Sequence, residues 1–208
     1  GLRNPVSVMV DAEEGEGDAP SVDASLPATL TNYVQVCGRE LRLAALCGWL
    51  GAHKKSKAII FFLTCAQAEY FGALLARLPQ GKRRPWLGTL HGKMAQNKRK
   101  KVHAAFTRAP AGAPLEEVAV DAALPALAEA VGERARAAVL ADRALHEKGQ
   151  RAFVSWARGY LEHTLNYVLS WKMVRPHAAA RSFALLKLPR MPELKGVKQL
   201  DDAVSDAD

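Results

Sequence analysis

The sequence predicts an α/β fold, an open parallel sheet followed by an all-helical C-terminal portion, and three observations predict it. Over residues 31–108, β-prone runs alternate with amphipathic helical segments. The run Ala58–Leu63, AIIFFL, is continuously apolar, the pattern of a strand buried on both faces of a parallel sheet. The alternation then stops at the breaker cluster Ala109–Pro114, APAGAP, and no strand pattern recurs beyond it.

Each element follows from its residues. Gly1–Val10 is a short strand-like piece with Pro5 fixing one turn, and Asp11–Thr29 is acidic and rich in Ala, Gly, Ser and Pro, which reads as a solvated loop. Tyr33–Cys37 is the first β-prone run, and Arg39–His53 places Leu43, Leu46, Trp49 and Leu50 at helical spacing. Ala58–Leu63 is the second strand, Ala66–Leu78 an amphipathic helix, Trp86–Leu90 the third strand, and Ala95–Phe106 a basic helix. Strand and helix in strict alternation give an open parallel sheet. Beyond the breaker, Val118–Val139 is an alanine-rich helix with breaks expected at Pro125 and Gly132, and Leu140–Lys148 continues it. Gln150–Val174 has the clearest periodicity: Phe153, Trp156, Tyr160, Thr164, Tyr167 and Trp171 fall on one helical stripe, the pattern of a buried seam. Pro176 is expected to end that helix, Ala178–Leu186 to form a shorter one, and Leu188–Leu194, with two prolines, to be extended. The acidic tail from Asp201 is expected to be disordered. The division that results is 1–30, entry strand and acidic loop; 31–112, partial α/β domain; 113–195, helical portion; 196–208, tail.

Composition narrows the function. The chain has 208 residues, enough for a core at 49% hydrophobic content, and a net charge of +8. That charge is uneven: residues 1–30 sum to −5, residues 31–108 to +13, and residues 109–208 to zero. A concentrated basic segment points to a polyanion partner, with a solvated lysine-rich face as the alternative. Cys37, Cys47 and Cys65 contain no CxxC pair, so neither a zinc framework nor a secreted disulfide scaffold is read from them. No apolar run approaches the roughly 20 residues that cross a bilayer, and no membrane partner is expected. The first thirty residues lack the order of a signal peptide, and a chain that opens on Gly1 is expected to begin partway through a longer protein.

Three segments carry a resemblance. Lys57–Tyr70 (KAIIFFLTCAQAEY) and Leu90–Phe106 (LHGKMAQNKRKKVHAAF) resemble, in order and spacing, the second RecA-like domain of DEAD-box ATP-dependent RNA helicases. The opening GLRNPV resembles the chain entering that domain. Leu140–Leu194, with ADRALHEKGQRAFVSWARGYLEH and FALLKLPRMPEL, resembles the C-terminal extension of the subgroup associated with large (60S) ribosomal subunit assembly. The fold expected is therefore a truncated RecA-like sheet, of the P-loop NTPase type, followed by that helical extension. The departures are as informative. No GxxxxGKT string and no Asp-Glu-Ala-Asp tetrad occur, so the first RecA-like domain is read as absent. After Phe106 the family's Thr-Asp, Ala-Arg-Gly and His-Arg-x-Gly-Arg motifs are missing, which reads as an internal deletion near Gly112.

The resemblance implies ATP and Mg²⁺ as cofactors of the full-length family and RNA-stimulated ATP hydrolysis as its activity. Phosphoryl transfer needs a phosphate-cradling loop, a carboxylate-held Mg²⁺ and an arginine at the developing charge. None is recognisable in this sequence, so this chain alone is expected to bind neither cofactor and to hydrolyse no ATP, and no catalytic or metal residue is assigned. RNA contact is expected to survive in part. The resemblance places Gln96 and Arg99 at the RNA backbone, with simple solvent exposure as the plainer reading. Thr64 and His91-Gly92, at the ends of expected strands where phosphates are held, are read toward RNA as well, with a helix N-cap and a plain turn as their plainer readings, and Lys100 joins Lys98 and Lys101 in a general basic face. Gln96 and Arg99 lie one turn apart and are expected to project together. Partners expected are ribosomal RNA in a pre-ribosomal particle, and proteins docked on the C-terminal helices; the location implied is the nucleus and nucleolus. The rival reading is a non-catalytic RNA- or protein-binding module derived from a helicase. A three-stranded remnant would also leave one side of AIIFFL uncovered, an aggregation hazard.

Overall fold

The computed structural model describes residues 33–82, 87–109, 123–164 and 170–195. The expectations for Gly1–Val10, Asp11–Thr29, Trp86, Pro110–Pro114, Tyr167 and the acidic tail lie outside them. The chain divides into two units, 1–36 and 37–208. Residues 33–36 are the only described part of the first, and every described helix belongs to the second.

Helix α2 (Cys65–Arg77) shows how the sequence sets its elements. Thr64 leaves the helix in an extended conformation, its hydroxyl accepts the Gln67 N–H at 3.2 Å, and the Gln67 side chain accepts the Thr64 N–H at 3.2 Å. This reciprocal capping box satisfies two N–H groups that the helix cannot pair itself. From there Tyr70, Phe71, Leu74 and Leu75 recur at helical spacing and are buried. Helix α1 (Arg42–Ala52) follows a 3₁₀ turn at Arg39–Leu41, and α3 (Pro79–Lys82) is a single turn after α2. Helix α4 (Gln96–Arg108) is the expected basic helix.

The C-terminal half is helical as expected, with shifted boundaries. Helix α5 (Leu124–Ala141) carries Pro125 in its first turn, where no N–H is needed, and runs through Gly132 without a break. It does not continue across residue 142. Asp142 is extended and its carboxylate accepts the Leu145 N–H at 3.1 Å, which starts α6 (Arg143–Leu161). Helix α6 ends at Leu161, well before the expected Val174. Trp171 lies instead in a 3₁₀ turn, Trp171–Met173, and folds back against the rings of Trp156 and Tyr160 at 5.9 and 6.5 Å. Pro176 begins α7 (Pro176–Ser182) and does not end a helix; its ring suits a first turn.

Helix α6 lies across α2. Phe153 is fully buried, Trp156 and Tyr160 nearly so, and Phe153 and Trp156 each pack on Phe183 with ring centroids 5.5 and 5.7 Å apart. Of the expected seam, Phe153, Trp156 and Tyr160 are buried within the chain, on α2 and the turn after α7, whereas Trp171 is half-buried and Thr164 exposed. Gly149 permits the close approach: a Cβ there would stand 3.0 Å from the Tyr70 ring. Tyr70 in turn donates its hydroxyl to the Phe183 carbonyl. Helices α1 and α5 complete the core through Cys47, Leu50, Ala135 and Val139.

The sheet is the expectation the structure corrects. Among the described residues no strand forms. Tyr33–Cys37, Ala58–Leu63 and Leu87–Leu90 are non-helical without a ladder. A strand requires a neighbour to take its N–H and C=O groups, and the neighbours expected beside AIIFFL are among the motifs this sequence lacks after Phe106. The segment is also not buried on both faces. Ala58, Ile60 and Phe62 pack on the core, with Phe62 stacked on Phe71 at 5.0 Å, whereas Ile59, Phe61 and Leu63 are 66%, 89% and 48% exposed. The expected three-stranded remnant with an uncovered edge is therefore not formed among the described residues; what is exposed is one set of alternate side chains of an unpaired segment.

Candidate nucleic-acid interface

The six residues predicted to meet RNA fall into two groups. The first is the turn and helix that follow Leu90. The His91 carbonyl accepts the Met94 N–H at 3.2 Å and closes the turn that holds Gly92. The His91 ring nitrogen Nδ1 is buried and has no hydrogen-bond partner among the described residues. A Cβ added to Gly92 would meet nothing within 4 Å, so the fold around this turn does not itself require glycine. Helix α4 then opens with Gln96, and Arg99 donates from Nη1 to Gln96 Oε1 at 3.3 Å. The two side chains project together, as their spacing predicts. No residue of α4 is buried, and it carries Lys98, Arg99, Lys100, Lys101 and Arg108 with no acidic residue. It is held at its far end, where Lys57 donates to the Thr107 carbonyl at 3.1 Å and lies over the Phe106 ring. The result is a solvated cationic face.

Thr64 forms the second group. It is the cap of α2, its plainer reading, and it also faces α6: a Cβ on Gly159 would stand 3.4 Å from its methyl group. Its hydroxyl oxygen accepts in the capping box, which leaves the hydroxyl hydrogen free to donate outward. Glu69 feels cations of α6 as well as His91. The hydrogen bond from Lys148, at 3.0 Å, holds the Glu69 carboxyl below the usual carboxylate range against the opposing effect of burial, and the charges of Lys148, Arg151 and His91 lower it further.

Sequence reading missed the cations of the extension itself. Counted over residues 109–208 the charge is zero, but residues 143–195 hold ten bases and three acids, +7, flanked by acidic stretches on both sides. Arg151 and Arg158 of α6 stand beside Thr64 on the face opposite the aromatic seam. A count by structural segment would have found them. Among the described residues no three His, Cys, Asp or Glu side chains gather in a metal-binding group, and no helix is long and apolar enough to cross a membrane.

Comparison with known proteins adds three findings. Residues 142–191 match the family model described as "ATP-dependent rRNA helicase SPB4-like, C-terminal extension". That match begins at Asp142, the cap of α6. The chain is 30% identical to the ATP-dependent RNA helicase DDX55 of Homo sapiens, over 98% of this chain and 43% of the relative, and 30% identical to that of Danio rerio, over 94% and 43%. It is 33% identical to DEAD-box ATP-dependent RNA helicase 55 of Arabidopsis thaliana, over 81% of this chain and 35% of the relative. The chain spans less than half the length of these relatives. The human match extends over 269 aligned positions although this chain has 208 residues, so at least 61 residues of the human relative have no counterpart here. The Arabidopsis match covers its share of the chain in 168 positions, which leaves room for no comparable gap.

Proposed function

Because the chain belongs to the DEAD-box family of ATP-dependent RNA helicases, we propose that it is the RNA-facing part of a helicase acting on ribosomal RNA during large-subunit assembly, in the nucleolus, with an internal deletion near Gly112. The observation that carries the proposal is α4: a helix with no buried residue, five cations and no carboxylate, opening on the paired Gln96 and Arg99 beside the His91-Gly92 turn. Such a surface reads phosphate and ribose and not base sequence. Gln96 and Arg99 hold one stretch of backbone, the Gly92 turn lets the strand approach, and Thr64 offers a hydroxyl to the next phosphate. In the full-length family, closure of two RecA-like domains around ATP separates RNA strands locally; this chain supplies one RNA-facing half-site to that motion. The extension docks through its aromatic seam on α2 and so presents its outer face beside the half-site.

The residues present do not fit ATP and Mg²⁺. The sequence contains no phosphate-binding glycine loop, and among the described residues no carboxylate cluster offers itself to a metal.

A second reading, a non-catalytic RNA-binding module, draws support from the Arabidopsis match, which runs without the gap seen against the human relative. Transcripts across Gly112 separate the two: coding sequence for the missing motifs marks a helicase locus, and its absence marks a module.

The binding claim is tested by titrating labelled single-stranded RNAs of unrelated sequence with the purified chain at 50 and 200 mM salt. The expected result is similar affinity for all sequences at low salt and a loss of about tenfold or more at the higher salt, because several phosphates are neutralised. Absence of binding at 50 mM salt, or affinity indifferent to salt, overturns the proposal.

A further inference from the structure

We propose that the C-terminal extension carries a second RNA-phosphate subsite, a cleft in which Arg151 and Arg158 of α6 face Lys187 and Arg190 of the segment after α7, with Thr64 on its wall. This deepens the RNA-binding reading and rests on it. The cleft has a volume of about 1130 Å³, wide enough for a nucleic-acid backbone and not shaped around a small molecule.

Both walls are built by anchored elements. Helix α6 presents two stripes. Phe153, Trp156 and Tyr160 face the core, and Arg151, Ser155 and Arg158, at steps of four and three, line the cleft. Seven residues separate the two arginines, which at 1.5 Å per residue sets them roughly 10 Å apart along one face. The opposite wall is non-helical over 188–191 and passes into a 3₁₀ turn at Pro192–Leu194, where the sequence predicts extended chain throughout, and Leu188, Met191 and Leu194 are buried as anchors. Lys187, just before Leu188, and Arg190, between Leu188 and Met191, stay exposed.

The charge is unbalanced. Four cations line the cleft against one carboxylate, Glu162. Among the described residues none of the four makes an ion pair; Arg151 acts at a distance on Glu69, which is already bonded to Lys148. Like charges gathered in a concavity repel one another and cost stability unless a polyanion neutralises them. Thr64 lines this wall and is also one of the residues read toward RNA, so on this proposal a bound strand reaches the extension past Thr64.

The test uses the whole chain and a 20-nucleotide single-stranded RNA. Arg158→Gln with Arg190→Gln removes two phosphate contacts. The expected result is a loss of about tenfold at 50 mM salt and a salt slope shallower by about 1.4, at roughly 0.7 per contact. Both residues are exposed and their removal relieves repulsion, so the melting temperature should not fall, and Arg158→Lys with Arg190→Lys should recover most of the affinity, since a phosphate asks first for charge. If this pair leaves affinity and slope at wild-type values while Arg99→Ala with Lys100→Ala weakens binding, the cleft proposal fails and the α4 reading stands. If the cleft pair weakens binding and the α4 pair does not, the cleft stands and the assignment to α4 falls. Wild-type affinity in both variants, or no RNA binding by the wild-type chain, overturns both.

Discussion

Helices α2 and α4 each run for 13 residues, and they are held in opposite ways. Helix α2 buries Gln67, Tyr70, Phe71, Leu74 and Leu75, packs on α6 and opens on a two-way capping box. Helix α4 buries nothing, has no side-chain cap, and carries cations along its length. The difference separates two tasks. Stability resides where α2 and α6 share an aromatic core, and recognition is proposed for a helix none of whose residues is buried. A residue in one set should be nearly silent in the readout of the other.

The largest effect should follow from breaking the first set. Phe153→Ala empties a fully buried site against Trp156 and Phe183, and a loss of about 3–5 kcal/mol is expected from the cavity and the lost transfer energy. Urea unfolding followed by tryptophan fluorescence measures it. Lys100→Ala, on α4, should stay within about 0.5 kcal/mol of wild type in the same assay.

An intermediate effect tests how the extension begins. Asp142 caps α6 and pairs with Arg77 at the end of α2. Asp142→Ala should lower the urea midpoint, by less than Phe153→Ala and chiefly through the lost cap, and Asp142→Asn should recover much of it because an amide oxygen still accepts the Leu145 N–H.

These two sites also show what the sequence made legible. Helices α2 and α4 were readable to within two residues at each end, because local signals specify them: Thr64 as a cap, the apolar spacing of Tyr70 to Leu78, and the basic run from Lys98. The aromatic seam was readable for the same reason up to Tyr160. It was overextended because Thr164 and Trp171 happen to continue the helical spacing, while the fold turns the chain back after Leu161. The break at Asp142 was hidden by the alanine-rich run on one side and the strong helix on the other. The sheet failed for a different reason. Strand pairing is a non-local property, and AIIFFL has the composition of a central strand without the neighbours that would make it one. The cleft of the extension was obscured by counting charge over too long a segment, so that acidic flanks cancelled the cations of residues 143–195.

The smallest effect concerns acid. The Lys148 hydrogen bond holds the Glu69 carboxyl below its usual value, and the Leu145 N–H followed by Arg77 does the same for Asp142. A carboxyl lowered in the folded state stabilises the fold above its unfolded pKa, and that contribution disappears as pH falls through the folded value. Urea midpoints should therefore decline modestly as pH is lowered from 6 toward 3. In Lys148→Met the decline should be shallower, since the largest cause of the lowered Glu69 carboxyl is gone; an unchanged slope would remove Glu69 as a source of the acid sensitivity.

The separation of stability from recognition is tested most directly by one pair of readings on Arg99→Ala with Lys100→Ala: the affinity for single-stranded RNA at 50 mM salt and the urea midpoint. Separate tasks predict an affinity loss of about tenfold with a shallower salt dependence and an unchanged midpoint. Wild-type RNA affinity, or a midpoint that falls in step with affinity, would contradict that separation.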